Sequence, residues 1–226
     1  MERSYEISQS ARATSAIQQS FAWMFGGLLI TAMCAVAAAS DVGLQRALIE
    51  NRLLFYGLLI AEFGLVVFIS AGIARMTYGV AIGAFVAYAA LNGVTLSLIF
   101  AIFTGASIAG AFLSASLVFG TMALYGFATK KDLSSLGSIC MMILIGVIIA
   151  MVINLFLQSG TMSLLLSCAA VVIFAGLTAY DTQKIKMLST QMDGKNLGIY
   201  GALTLYLDFI NIFINLLRIF GQGRNN

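Results

Sequence analysis

Hydrophobic residues along the chain fall into seven long runs, separated by short segments that contain glycine or charged residues. A helix that crosses a membrane needs about 20 mainly apolar residues, and each run approaches or exceeds that length. Because the connections are short, neighbouring spans must run antiparallel. The pattern therefore predicts an all-α membrane protein. The seven predicted spans are residues 21–39, 53–74, 79–103, 106–128, 134–157, 162–181 and 197–220.

The same pattern predicts one membrane domain with two short tails. Residues 1–20 are polar and are predicted to form a cytoplasmic N-terminal tail. Residues 21–221 form the predicted seven-helix domain, and residues 222–226 a C-terminal tail. In lipid, small residues at helical spacing favour close helix packing, and we expect this of Gly79 with Gly83 and of Gly110 with Ser114. The amides Asn92 and Asn154, which lie inside apolar spans, are predicted to form hydrogen bonds between helices.

Composition agrees with a membrane location and excludes several chemistries. Of the 226 residues, 61% are hydrophobic and 9% charged, and neither proline nor histidine occurs. A soluble domain carries about 25% charged residues, so most of this surface must face lipid. Without histidine the chain offers no Ser-His-Asp triad, histidine zinc site or histidine-ligated haem, and carboxyl groups are left as pH sensors. The net charge of +3 is too small and dispersed to indicate a nucleic-acid partner.

The distribution of basic residues favours an N-terminus on the cytoplasmic side. In that orientation four of the twelve Lys and Arg residues fall outside, and the other eight lie in the cytoplasm. Such a bias follows the positive-inside rule. The short N-terminal tail and the lack of an organelle address favour the inner membrane of a bacterium. The four residues expected outside are Arg46, Arg52, Arg218 and Arg224.

Three of the nine acidic residues lie inside predicted spans, and these are Glu62, Asp181 and Asp208. A carboxylate at the centre of a bilayer costs at least about 2.5–3.5 kcal/mol, so it normally faces protein or water. Such a residue is a functional candidate. The alternative is a purely structural hydrogen bond between helices.

Asp181 and Asp208 are predicted to lie level with each other. They are equally far from the turn signal Asp193-Gly194-Lys195, which would join two antiparallel helices. Two carboxyl groups that face each other in a low-dielectric interior cannot both ionise cheaply, so we expect them to share a proton. The pair is thus a candidate proton sensor. With neighbouring oxygens it also offers the hard ligands that suit a transiently bound Ca²⁺.

The last span carries a polar stripe. Its members recur within an arc of about 100° when each residue advances 100° around a helix. A helix in lipid does not need such a stripe for stability, so the stripe is predicted to face other helices or a hydrated path. The stripe contains Gly201, Thr204, Asp208, Asn211, Asn215 and Arg218.

Two segments of the chain closely resemble the C-terminal signature of the Bax inhibitor-1 family, also called transmembrane Bax inhibitor motif proteins. They are Ala-Tyr-Asp-Thr-Gln-Lys-Ile at 179–185 and Leu-Tyr-Leu-Asp-Phe-Ile-Asn-Ile-Phe-Ile-Asn-Leu-Leu-Arg at 205–218. The segment at 90–97 and the second span, which contains Glu62, are similar to the family as well. The resemblance extends from about residue 20 to residue 221.

This resemblance implies six helices around a central seventh and a pH-dependent Ca²⁺ leak. It implies that Asp181 and Asp208 are the pH-sensing pair that closes the cytoplasmic side, and that Glu62 lies along the ion path. It also implies a basic latch at the end of the second span, for which Arg75 is the candidate. The chain departs from some bacterial members here, because their arginine cluster begins half a turn earlier, where this chain has Ile73 and Ala74.

Two functions of different classes follow. The first is a pH-sensitive calcium leak channel gated by the aspartate pair, with Ca²⁺ and protons as its ligands and no tightly bound cofactor. Its predicted ion path includes Glu62, Thr204, Asn211 and Asn215. The second is a membrane-embedded regulator of a membrane-anchored quality-control protease or a stress response, which acts through protein contacts. Residues 1–20 are the candidate segment for contact with the partner.

Enzymatic activity is not expected. Aspartyl proteases of the membrane also use two acids on neighbouring helices, and Tyr180-Asp181 matches their first motif. Their second motif, Gly-x-Gly-Asp, is absent because Leu207 precedes Asp208. A proton-coupled transporter is compatible with the acids, but the chain shows no clear inverted repeat or paired helix breaks.

Overall fold

A computed structural model describes residues 2–191 and 194–223, with side chains from residue 11 onward. This part of the chain folds into helices joined by short turns. One isolated bridge joins Phe103 and Gly223. The helices are α1 (Glu2–Ser40), α2 (Val42–Glu50), α3 (Arg52–Gly72), α4 (Tyr78–Leu96), α5 (Ile99–Ile102), α6 (Gly105–Ala128), α7 (Ser134–Leu157), α8 (Gly160–Leu188) and α9 (Gly194–Phe220).

Within the described residues, seven stretches of helix are long and apolar enough to cross a membrane, which confirms the predicted all-α class and number of spans. Six of them are single helices, and α4 and α5 together make the third span. The main differences lie at polar ends: α1 begins at Glu2, and α8 continues to Leu188. Hydropathy marks the apolar part of a helix, whereas backbone hydrogen bonds continue into polar sequence. The predicted tail of residues 1–20 is accordingly helical from Glu2 and buries Ala16 and Ile17.

Polar side chains at the turns set several helix ends in this proline-free chain. The carboxylate of Asp41 accepts a hydrogen bond from the Leu44 N–H at 3.0 Å, and Asn51 accepts one from Leu54 at 3.1 Å. Each satisfies a backbone N–H that has no partner within its helix. At the other end of a span, Gln158 adopts a left-handed conformation with φ of 50° and stops α7.

One compact unit comprises Met1–Ile102 with Ile185–Tyr206. Within it α4 packs against α1 and α3. The Tyr206 ring contacts Phe85 and Tyr88 edge to face, with centroid distances of 6.1 and 5.5 Å. Gly93 on α4 allows a close backbone approach, because a Cβ atom there would collide with the Thr31 carbonyl. Aromatic packing and a close helix crossing therefore hold this unit.

The second compact unit comprises Phe103–Lys184 with Leu207–Asn226. Phe209 packs edge to face against Phe112 and Phe119, with centroid distances of 5.3 and 5.7 Å. Gly126 on α6 lies against the backbone of Ala179, and a Cβ atom at Gly126 would overlap it. These contacts bring α6, α8 and the end of α9 together.

The last helix is the most enclosed of the seven spans. In its most apolar stretch 72% of the residues are buried, against 11–39% for the other six. A helix at the centre of a bundle requires such burial. The arrangement of six helices around it remains the expectation drawn from the resemblance.

Two packing predictions from the sequence were wrong. Among the described residues no atom of another helix lies within 4 Å of a Cβ built at Gly79, Gly83 or Gly110, so these glycines do not make close crossings. Small residues permit close contact in lipid but do not require it. Asn154 bonds with the Ser159 backbone, as donor at 3.2 Å and acceptor at 3.1 Å, and so closes the turn after α7 instead of bridging helices.

We predict that Gly126→Val lowers the midpoint of thermal unfolding in detergent by about 5 °C, because overpacking a close crossing costs about 1–3 kcal/mol. Gly110→Val is the matched control, since Gly110 lies on the same helix with open space around it. Equal midpoints for the two variants would contradict the close contact with Ala179.

Candidate functional site

Glu62 lies in the middle of α3, with 8% of its surface exposed. Its Oε1 accepts a hydrogen bond from the Thr95 hydroxyl at 2.7 Å, and its Oε2 accepts one from the Asn92 amide at 3.1 Å. Both partners belong to α4, so Asn92 forms an interhelical hydrogen bond as predicted. The carboxyl group is thus held by neutral donors.

The hydrogen bonds continue from Asn92 into two further helices. The Tyr206 hydroxyl on α9 donates to Asn92 Oδ1 at 3.0 Å and lies 2.6 Å from the hydroxyl of Thr31 on α1. Thr31 in turn donates to the Ala89 carbonyl at 2.8 Å. We call Thr31, Tyr206, Asn92, Glu62 and Thr95 the glutamate network. It joins α1, α3, α4 and α9 by buried and partly buried polar contacts.

Thr31 and Tyr206 were not among the predicted site residues. One sequence signal was available for Thr31, since it is the only hydroxyl side chain in the apolar run 21–39. A polar group in a membrane span needs a partner, so its isolation indicates a contact. Tyr206 carries no comparable signal, because a tyrosine within an apolar helix is common in helix packing.

The structure brings Asp181 on α8 and Asp208 on α9 together. Both are buried, with 8% and 3% of their surfaces exposed, and the two carboxyl groups lie within electrostatic reach of each other. The Thr178 side chain lies within hydrogen-bonding distance of Asp208. The second Asp208 oxygen, Oδ2, is buried and has no hydrogen-bond partner among the described residues. Asp193 of the predicted turn lies outside those residues.

The α8 segment that carries Asp181 is anchored next to a charged loop. Lys184, one turn beyond Asp181, interacts with it electrostatically and places its Nζ 5.8 Å from the centre of the Tyr180 ring. Gln183 donates to the Lys131 carbonyl and accepts from the Leu133 N–H, both at 2.8 Å. These two bonds fix α8 to the loop between α6 and α7, a role that the sequence did not indicate.

That loop also contains an exposed acid. Ser134 donates a backbone hydrogen bond to Asp132 at 2.9 Å. Hydrogen bonds from the Ser134 side chain and backbone hold the pKa of the Asp132 carboxyl below its ordinary value. Asp132 therefore stays ionised near neutral pH and offers a comparison for the buried acids.

Three predicted path residues on α9 use their donors on their own helix. Asn211 donates to the Leu207 carbonyl and Asn215 to the Asn211 carbonyl, both at 2.8 Å, while Thr204 donates to Tyr200 at 3.0 Å. Thr204 then has only oxygen lone pairs left to offer, whereas Asn211 and Asn215 each keep the amide oxygen and one N–H. Asn215 Oδ1 is buried without a partner in the described part of the chain. We call Thr204, Asp208, Asn211 and Asn215 the oxygen row.

Burial along α9 shows which side of the helix has space around it. Thr204, Asn211 and Arg218 are spaced seven residues apart. They are less buried than most positions between them, and the other partly exposed positions lie on the same face of α9. A spacing of seven residues is nearly two helical turns, so these three side chains share one face. The oxygen row thus lies on and beside the most accessible face of an otherwise buried helix.

The other predicted residues are less constrained. Arg75 lies in the turn after α3, where its backbone N–H donates to the Gly72 carbonyl at 2.9 Å, and it is exposed. Its role as a latch stays a prediction.

No group of three or more acidic or cysteine side chains lies together in the residues described. A cation at the aspartate pair would therefore complete its ligand shell with neutral oxygens or water.

The chain is similar in sequence to one protein family and to several bacterial proteins. The family described as "Inhibitor of apoptosis-promoting Bax1" matches residues 13–225. The chain is 45% identical to the inner membrane protein YbhL of Escherichia coli K12 over 212 residues, which cover 91% of each chain. It is 40% identical to protein RP147 of Rickettsia prowazekii, over 90% of this chain and 87% of that protein. A membrane protein of Streptococcus pyogenes serotype M3, SpyM3_0260, is 43% identical over 78% of each.

We predict that Tyr206→Phe lowers the midpoint of thermal unfolding in detergent by several degrees. Removing the hydroxyl leaves a buried polar atom of Asn92 without a partner, at a cost of about 1–3 kcal/mol. Tyr56→Phe is the control, because Tyr56 is exposed on α3. If the two variants unfold at the same temperature, the glutamate network does not bind its helices together.

Proposed function

The chain belongs to the Bax1-I family, and from that premise we propose that it is a pH-sensitive leak channel for Ca²⁺ in a bacterial inner membrane. The observation that carries this proposal is the oxygen row on α9, which offers acceptors inside a membrane span next to a buried pair of acids. The buried oxygens of Asp208 and Asn215 that have no hydrogen-bond partner among the described residues are free to bind a cation.

The oxygen row has the chemistry of a path for a hard cation. Ca²⁺ prefers carboxylate, carbonyl and amide oxygens, and it takes six to eight of them. The row consists of the Asp208 carboxyl group, two amide oxygens and a hydroxyl, which lie at successive heights along α9. Asp181 adds a second carboxyl group nearby. Because few protein oxygens lie at any one height, the ion keeps part of its hydration shell. An ion held in this way exchanges quickly, as conduction requires.

We infer that Asp208 carries a proton in this arrangement. The Thr178 hydroxyl donates its proton to the Phe174 carbonyl at 2.7 Å. A hydroxyl has one proton, so Thr178 can donate either to Phe174 or to Asp208, and when it donates to Phe174 it can only accept from Asp208. The proton between Thr178 and Asp208 then has to come from the carboxyl group. A neutral Asp208 also removes the repulsion that a charged Asp181 would exert on it.

The same accounting applies to Glu62. Two hydroxyl protons, of Thr31 and Tyr206, have to serve three contacts: with Ala89, with Asn92 and with each other. We infer that Glu62 is protonated and that the oxygen and nitrogen of the Asn92 amide are exchanged relative to the orientation described above, because all three contacts are then satisfied. Glu62 then donates to Asn92 oxygen, Asn92 nitrogen to Tyr206, Tyr206 to Thr31, and Thr31 to the Ala89 carbonyl. The orientation of an amide is assigned from such networks.

Among the described residues no cation interacts with Glu62. The titratable side chains that face it electrostatically are Tyr88 and Tyr206, phenols that are uncharged near neutral pH. A neutral Glu62 therefore suits its surroundings, and an ionised Glu62 would need a cation or water beside it. We infer that a permeating Ca²⁺ replaces this proton.

The direction of the pH response follows from the charge of the aspartate pair. When the pair is ionised, it attracts a basic latch, for which Arg75 remains the candidate, and the cytoplasmic side closes. Protonation neutralises the pair and removes that attraction. Flux should therefore rise as the pH falls. With the N-terminus in the cytoplasm, as the basic residues favour, the pair responds to cytoplasmic pH.

We predict that Ca²⁺ flux into proteoliposomes containing the wild-type protein rises several-fold, up to about tenfold, between about pH 8 and about pH 6, because protonation neutralises the aspartate pair and releases the latch. Asp208→Asn leaves one acid, Asp181, in place of the pair, so its flux should change with pH less than that of the wild-type protein.

Asp132→Asn is the control for this experiment, because it removes an exposed carboxyl group that stays ionised throughout the range. This variant should follow the wild-type curve. A wild-type pH response that persists in both Asp208→Asn and Asp181→Asn would contradict gating by the pair. An absence of Ca²⁺ flux in every protein would contradict the channel itself.

A further inference from the structure

Arg218 places a positive charge near the end of the last span without an acidic partner. It lies two residues before Phe220, where α9 ends, and no carboxylate lies within 4 Å of it in the described part of the chain. An arginine inside a membrane span is costly unless an anion or the headgroup region compensates its charge. The surroundings of Arg218 show which compensation is available.

Arg218 lines a cavity of about 380 Å³ between the ends of α7 and α8. Its polar lining is Asn154, Ser163, Ser167 and Arg218, and Ser163 and Ser167 share one face of α8 because they are one turn apart. Asn154 is already engaged by the Ser159 backbone, which leaves the two hydroxyls and the guanidinium as groups that can bind a ligand.

The cavity is polar near the helix ends and apolar farther along the helices. Ser163 lies three residues into α8, and Arg218 two residues from the end of α9. The apolar lining from α7 extends from Leu155 back to Ile148, a distance of about 10 Å along the helix axis. Val152 and Leu155 are exposed, so the apolar part opens to the outside of the helices, where lipid chains lie.

We propose that this cavity binds an anionic phospholipid. The lipid phosphate lies against the Arg218 guanidinium, whose planar donors match two phosphate oxygens. The hydroxyls of Ser163 and Ser167 donate to the same headgroup. An acyl chain lies along the apolar α7 side, beside Ile148 and Val152. The ligand is a lipid and not a free anion, because the cavity joins an unpaired cation to an apolar groove that opens towards the bilayer.

This inference is independent of ion conduction, because neither the aspartate pair nor the glutamate network lines the cavity. Its test is lipid binding to the full-length protein in detergent, measured by native mass spectrometry during titration with phosphatidylglycerol or phosphatidylcholine. The wild-type protein should bind phosphatidylglycerol more tightly than phosphatidylcholine. Arg218→Gln should weaken phosphatidylglycerol binding about tenfold, the loss expected for a charged hydrogen-bonding partner.

Arg52→Gln is the matched control, since Arg52 is an exposed arginine at a helix end that does not line the cavity. It should bind phosphatidylglycerol as the wild-type protein does. Ser163→Ala combined with Ser167→Ala retains the charge and should weaken binding by about threefold. This double variant tests the site independently of any effect of Arg218→Gln on folding.

Three outcomes would overturn the proposal. Equal losses in Arg218→Gln and Arg52→Gln would mean that general surface charge attracts the lipid. Equal affinity of the wild-type protein for phosphatidylglycerol and phosphatidylcholine would mean that the apolar groove binds lipid without recognising its headgroup. Displacement of phosphatidylglycerol by millimolar inorganic phosphate would identify a site for a free anion.

Discussion

A carboxyl group inside a membrane-spanning bundle must either lose its charge or be surrounded by water and cations. This constraint determines the surroundings of Glu62 and Asp208. Among the described residues their hydrogen-bonding partners are neutral: Asn92 and Thr95 for Glu62, and Thr178 for Asp208. Such partners position a carboxyl group without fixing a compensating charge beside it. The acids therefore remain able to exchange a proton for a cation.

The same constraint explains the composition of α9. Its hydroxyl and one N–H of each amide donate to carbonyls one turn earlier on the helix, and the side-chain oxygens are left for other ligands. Aromatic residues then bury the remaining sides: Tyr206 packs on Phe85 and Tyr88, and Phe209 packs on Phe112 and Phe119. One helix thus combines tight packing with a row of acceptors. The proposed conduction of Ca²⁺ depends on that combination.

The spans and the aspartate pair were predictable because they depend on strong, local rules. Twenty apolar residues specify a membrane helix, and equal distance from one turn places Asp181 level with Asp208. The glutamate network was not predictable in full, because Thr31 and Tyr206 meet through contacts 175 residues apart in the chain. Glycine packing failed for a related reason. The sequence shows where Gly79 and Gly126 permit a close crossing, but only the partner helix decides whether one forms.

The central claim is that buried acids hold protons in the arrangement described above, and infrared difference spectroscopy tests it most directly. Protonated carboxyl groups give a C=O stretching band that ionised carboxylates lack. At neutral pH and without Ca²⁺, the wild-type protein in lipid should show this band, and Asp208→Asn and Glu62→Gln should each remove part of it. Addition of Ca²⁺ should reduce the band of the wild-type protein. A wild-type spectrum without a protonated carboxyl band at neutral pH would contradict the account.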